Sequence, residues 1–242
     1  MGARRVGEGD KEGASIAGVQ SIYLALIVSI PIMLTGIFYS EDLLRLMGAS
    51  EDIINEGSGY TKIALGSNII VILLFLINGI FRGAGGAALA MRSLWLANIL
   101  NMVLDPLFIF GIAFFPHLGI QGAAVATALG RTAGIVYQLY HLKKGKGLIK
   151  IHKNNWHFKP DILLKLVKLS SGVTAQFIIG SASWIFLMRI ISTFGSTALA
   201  GYTIAIRIVI FTLLPAWGFS NADETMVGQN LGANQPDREE KA

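Results

Sequence analysis

The sequence predicts an all-α integral membrane protein with six transmembrane helices, on three observations. Of 242 residues, 53% are hydrophobic and 14% charged, whereas a soluble chain carries about 25% charged residues. Mean hydropathy is +0.58. Six apolar stretches each approach the roughly 20 residues a helix needs to cross a hydrocarbon core about 30 Å thick. Barrel strands would alternate polar and apolar residues over half that length, so helices are the expected form. Gly is abundant at 28 and Pro scarce at 6, which suits closely packed membrane helices. The chain has no Cys, which excludes a disulfide framework and any Cys-ligated zinc or iron–sulfur site.

The six expected spans run over residues 17–39, 63–81, 94–115, 119–142, 169–191 and 198–219. The first follows the charged run 4–11, is too long for a signal peptide, and lacks a small-x-small cleavage site ahead of a soluble body. The longest connection, 143–168, opens with a solvated basic stretch. Pro160 and Asp161 then start a helix with Ile162, Leu163, Leu166 and Val167 on one face and Lys165 and Lys168 opposite. That pattern reads as a short amphipathic interfacial helix leading into the fifth span, the alternative being a plain loop. Three regions are therefore expected: 1–142 with four spans, the connection 143–168, and 169–242 with two spans and a tail.

Basic residues set the orientation. With six spans, both chain ends and the second and fourth connections share one side. That side takes fifteen of the 20 Lys and Arg residues, from Arg4 and Arg5 through Arg82, Arg92 and Lys143 to Arg238 and Lys241, and the opposite side takes Arg45 and Lys62. By the positive-inside rule the first side is cytoplasmic, so a multi-pass protein of the plasma (cytoplasmic) membrane with both ends inside is expected. The net charge of +5 and pI near 9.5 are thus topology signals. No recognition motif accompanies them, so nucleic acid is not an expected partner.

The chain ends resemble each other. Met1-Gly2-Ala3-Arg4-Arg5 and Leu231-Gly232-Ala233-Asn234-Gln235 each place a hydrophobic residue and Gly-Ala before two polar residues and a charged mixture, at an offset of 230 residues. This reads as one full period of a longer repeat cut inside equivalent loops.

The segments Phe81-Arg82-Gly83-Ala84-Gly85, Asn101-Met102-Val103-Leu104-Asp105-Pro106, Gly119-Ile120-Gln121-Gly122-Ala123-Ala124, Leu214-Pro215-Ala216-Trp217-Gly218 and Val227-Gly228-Gln229-Asn230-Leu231-Gly232-Ala233 occur in this order. Together they resemble the multidrug and toxic compound extrusion (MATE) family over essentially the whole chain. The resemblance implies a partial two-lobe transporter fold, the present spans being the third to eighth of twelve. Residues 1–142 would be part of the N-terminal lobe and 169–242 the start of the C-terminal lobe. The remaining helices of the parent transporter, the lipid bilayer and drug-like small molecules are then the expected partners.

Asp105 is the leading candidate for chemistry. It falls mid-span, where an ionised carboxylate costs about 2.5–3.5 kcal/mol or more, and Pro106 next to it removes a backbone donor. Asn101 lies four residues earlier, on the same helix face. Such an acid can take up a proton or offer oxygens to Na⁺, or it can satisfy backbone groups loosened by Pro106. The resemblance implies the first role: a cation or proton site of Asn101, Asp105 and a hydroxyl on the next span, here Thr127. The family adds an Asp on its first helix, which has no counterpart here. No cofactor is expected beyond H⁺ or Na⁺ as coupling ion, and no metal beyond a Na⁺ at Asp105.

Arg131, mid-span, either faces a cavity or Asp105 or joins a polar interhelical network. Gln176 and Trp184, eight residues apart on one face, either line a drug cavity or pack. Asp223 and Glu224 stand where the family has small apolar residues, and read as a gate or a solvated helix end. Gly83, Gly85 and Gly86 lack the strand and Lys-Ser/Thr of a phosphate loop. The four His residues lack metal spacing, and no nucleophile–base set is legible, so an enzyme is not expected.

The implied function is multidrug efflux by secondary antiport, exporting amphipathic or cationic organic compounds in exchange for H⁺ or Na⁺. A lipid-linked sugar flippase of the related superfamily would call for several cations lining the cavity. A non-transporting membrane scaffold or assembly subunit would leave Asn101, Asp105 and Thr127 without a reason.

Overall fold

A computed structural model describes residues 1–46, 49, 51–144 and 153–235. Among them the chain is helical throughout, without a strand: α1 (Gly2–Gly7), α2 (Lys11–Phe38), α3 (Ser40–Leu46), α4 (Glu51–Gly66), α5 (Asn68–Gly83), α6 (Ala87–Phe110), α7 (Ile120–Lys144), α8 (Pro160–Ser192) and α9 (Ser196–Gly232), with a 3-10 turn at Lys153–Trp156.

Local chemistry sets the boundaries. Asp10 caps α2, its side chain accepting the Gly13 N–H at 2.8 Å. α6 ends at Gly111, which turns left-handed at φ 65°. A Cβ there would also lie within 3 Å of His117, so only glycine fits this reversal. Pro160 starts α8, where its missing N–H has no helical partner to lose.

The helices α2, α4, α5, α6 and α7 pack as one group. Its apolar core is Leu74, Ile77 and Phe81 of α5, Ala90 and Ala97 of α6, and Ile135 and Leu142 of α7. α6 and α7 form the most extensive pairing because glycines let the backbones approach. A Cβ on Gly130 would sit 2.6 Å from the Ala97 carbonyl oxygen, and one on Gly122 would sit 2.6 Å from the Phe108 backbone.

The last two helices are placed differently. Among the described residues, α8 touches α2 and α9, while α9 touches α1, α5 and α8. The apolar windows of both have no buried residue, and Phe177, Phe186, Phe211 and Phe219 are all at least two-thirds exposed.

Several expectations change. Six spans were expected, but four helices (α2, α6, α8 and α9) are individually long and apolar enough to cross a membrane. α4 and α5 pass together as a fifth, bent by 41°, because the helix breaks at Ser67. The expected span 119–142 is indeed a helix, α7, but Gln121, Thr127, Arg131, Gln138 and His141 interrupt its apolar run. The short interfacial helix is not separate: from Pro160 the chain runs 33 residues without a break. The N-terminal charged run overlaps α1, and α9 extends well past the expected membrane boundary to Gly232. Residues 145–152 of the connection and the tail from 236 lie outside the described residues.

The connection is anchored by polar groups of α2. Gln20, fully buried, donates to the His157 carbonyl at 2.8 Å and accepts the Lys159 N–H at 3.0 Å. Tyr23 donates to the Trp156 carbonyl at 2.8 Å and meets the Trp156 and Phe158 rings edge-on.

Candidate cation-coupling site

Asn101 and Asp105 lie one turn apart on α6, and Thr127 faces them from α7. Asn101 donates through Nδ2 to Asp105 Oδ1 at 3.0 Å and to Thr127 Oγ1 at 3.2 Å. All three side chains are half-buried. α6 continues through Pro106 to Phe110, so the proline removes one ladder donor without ending the helix.

The group freed by Pro106 is the carbonyl of Met102, an acceptor. An ionised carboxylate is acceptor-only and cannot satisfy it. Asp105 instead uses one oxygen for Asn101. Its other oxygen and the hydroxyl of Thr127 are hard oxygen donors at the seam, the ligand chemistry of a proton or a small hard cation. Asp105 is the one Asp or Glu in α6 and α7, so it supplies the single negative charge of their seam.

Arg131 is half-buried one turn beyond Thr127, and among the described residues it forms no ion pair with Asp105. Gln176 and Trp184 lie on α8, and both are exposed, Trp184 at 48%. Neither borders the inter-helix cavity described below.

A second polar cluster sits on the same α6 face two turns toward the helix start. Ser93 hydrogen-bonds Asn78 Oδ1 at 3.0 Å, and Gln138 donates to Ser93 Oγ at 2.9 Å and to the Leu74 carbonyl at 3.3 Å. Asn78, Ser93 and Gln138 are all but fully buried. Sequence reasoning passed over this cluster; its signal was one amide inside the otherwise apolar run of α5. Gly130 and Gly134 separate the two clusters: Cβ atoms there would meet the Ala97 and Ser93 carbonyl oxygens at 2.6 and 3.1 Å. The α6 and α7 backbones are therefore in close contact between the two clusters.

A cavity of about 480 Å³ opens where α1, α2 and α5 face α8 and α9. Beside it α1 and α9 touch backbone to backbone: a Cβ on Gly232 would lie 2.0 Å from the Arg4 carbonyl oxygen, and one on Gly7 at 2.0 Å from that of Gln229. The two similar chain ends thus pack against each other, and Gln229 donates to the Gly83 carbonyl at 3.0 Å.

Comparison with known proteins gives a consistent result. The MatE family model matches residues 1–107 and 173–242, which includes Asn101 and Asp105 but not Thr127. The probable multidrug resistance protein YoeA of Bacillus subtilis (strain 168) is 27% identical over 221 residues, covering 90% of this chain and 48% of that protein. The probable multidrug resistance protein NorM of Thermotoga maritima is 27% identical, covering 95% of this chain and 49% of that protein. Among solved structures, a transporter of the MOP superfamily from Pyrococcus furiosus superposes with TM-score 0.89 at 30% identity, covering 99% of this chain and 53% of that one. A MATE structure in the bent conformation gives TM-score 0.88, again at 30% identity, covering 100% and 53%. The chain spans about half the length of the relatives it matches. With the family model covering well over half of its residues, the chain belongs to the MatE family of transporters and is a membrane protein.

Proposed function

We propose that this chain serves multidrug efflux by secondary antiport, exporting amphipathic or cationic organic compounds in exchange for H⁺ or Na⁺. The observation that carries the reading is the hydrogen-bonded set Asn101, Asp105 and Thr127 at the α6–α7 seam. Relatives named as multidrug resistance and export proteins support the substrate class. In this reading the chain crosses the membrane six times with both ends cytoplasmic. α7, too polar to pass as a lone apolar span, is sheltered against α6.

The mechanism follows from charge. A proton or Na⁺ at Asp105 neutralises the single acid of the seam, and so changes the relative energies of two arrangements of the helix groups about the cavity. The close approach of α6 and α7 at Gly130 and Gly134 lies between the ion site and the Ser93 cluster, and in this reading exchange is tied to the conformational change. Asn101 and Thr127 orient the carboxylate and complete the oxygen set.

The test is counterflow in proteoliposomes. With ethidium, an amphipathic cation that crosses bare bilayers slowly, at equal concentration on both sides, an imposed proton or Na⁺ gradient should drive its net movement against the ion flux, and protein-free liposomes should show none. Movement that ignores both gradients would refute antiport. A flippase reading calls for several cations around the cavity, and Arg82 is the one Lys or Arg that borders it.

A further inference from the structure

The cavity between the two helix groups has a chemistry that the cation scheme does not use. Its volume of about 480 Å³ falls in the range of small-molecule pockets. Phe75 and Ile80 of α5 and Leu166 of α8 give it apolar walls, and Gly79 leaves open space, since a Cβ there would meet nothing within 4 Å. Two residues with charged side chains border it, Arg82 from the last turn of α5 and Glu224 from α9, and Met1 borders it as well. Neither charged side chain is in an ion pair among the described residues, and they do not pair with each other across the cavity.

We propose that this cavity binds zwitterionic amphiphiles, with the cationic group of the ligand against Glu224, its anionic group against Arg82 and its apolar body along Phe75, Ile80 and Leu166. A simple organic cation would leave Arg82 without a counter-charge, and a simple anion would leave Glu224 so. A ligand carrying both charges satisfies both at once, and charge-assisted contacts are the stronger kind. The same chemistry is offered by a lipid headgroup bearing an ammonium and a phosphate and by a free amphiphile. As a loading position for export the site rests on the efflux reading above, whereas binding itself does not.

The experiment compares octylphosphocholine, octyltrimethylammonium and octyl phosphate by calorimetric titration into the 242-residue chain in phosphatidylglycerol nanodiscs, with empty discs as blank. No gradient is present, so a failure of antiport leaves the result untouched. The zwitterion should bind about tenfold more tightly than either single-charge analogue, the worth of one charge-assisted contact. Glu224→Gln and Arg82→Gln should each erase that advantage, while Asp223→Asn, beside the cavity but not bordering it, should keep it. Gly79→Leu keeps both charges but fills the space, and should abolish binding of all three. Equal affinity for the three amphiphiles, an advantage that survives Glu224→Gln and Arg82→Gln, or undiminished binding in Gly79→Leu would each overturn the proposal. Repeating the titration in phosphatidylethanolamine discs separates the sources: competition by the bilayer identifies a lipid headgroup as occupant, and unchanged affinity identifies a free amphiphile.

Discussion

At the residue scale, what distinguishes Asp105 is that it is the one acid of α6 and α7. Asp105→Asn keeps the size and most of the hydrogen bonding and removes the ability to change charge. In proteoliposomes it should abolish gradient-driven export while leaving membrane insertion and drug binding intact, since an amphipathic ligand gains most of its affinity from apolar contact. Asn101→Ala and Thr127→Val each remove one neutral partner at 3.0–3.2 Å. Each should cost about 1 kcal/mol, or roughly fivefold in apparent cation affinity. Export by Asp105→Asn at the parental rate would show that the Asp105 charge plays no part in coupling. The pairing of Asn101 with Asp105 was legible in the sequence because four residues are one helical turn. Thr127 was not readable from spacing, since the α6–α7 register depends on tertiary packing, and it entered through family likeness. The Ser93–Asn78–Gln138 cluster escaped notice for the same reason: its members come from three helices and no local period links them.

Elements are governed here by how closely backbones approach. Gly130 and Gly180 are both glycines inside long helices, and from sequence they are equivalent. The structure separates them: a Cβ on Gly130 collides with the Ala97 carbonyl oxygen at 2.6 Å, and one on Gly180 meets nothing within 4 Å. Gly180→Ala should therefore be neutral or stabilising by up to about 1 kcal/mol, the helix-propensity gain. Gly130→Ala must push α6 from α7 and should destabilise by about 1–3 kcal/mol, with Asn101 losing its reach to Thr127. Thermal unfolding of the two variants side by side checks this; equal melting temperatures would mean the α6–α7 contact is looser than drawn. The existence of α2, α5, α6, α7, α8 and α9 was readable from apolar runs, while the more polar α1, α3 and α4 and the element ends were not. The start of α8 shows why: Pro160 marked it correctly, but the amphipathic turn after it continues into the apolar run, so one helix replaces two. α7 shows the converse, a helix whose polar residues are hidden by a neighbour rather than by lipid.

For the whole molecule, charge placement and the contact between the chain ends make separate predictions. The basic excess at α1, the α5–α6 turn and the end of α7 predicts that a cysteine at Lys143 is shielded from an impermeant external thiol reagent. A cysteine at Asn55, in α4, should react. The opposite labelling would invert the orientation and the direction of transport with it. The chain has no native cysteine, so both readouts have a clean background.

The same absence of cysteine allows the moving contact to be trapped. α1 packs against α2, α5 and α9, and α9 against α1, α5 and α8; α1 and α9 meet where Gly228 faces Ala3 and Gly232 faces Arg4. A Cβ on Gly228 would lie 3.0 Å from that of Ala3, slightly under the spacing a disulfide adopts, so a small backbone adjustment suffices. If export proceeds by rocking of the helix groups about the cavity, this end must open once in every cycle. Ala3→Cys/Gly228→Cys should then form an intramolecular bridge under mild oxidation and stop export. A thiol reductant should restore it, and each single cysteine should remain active under both conditions. The expected pattern is all-or-none because a covalent link of about 2 Å permits no separation of the two helices. A bridged protein that still exports at the rate of its reduced form would show that α1 and α9 stay together throughout, and the opening would have to be sought at another seam.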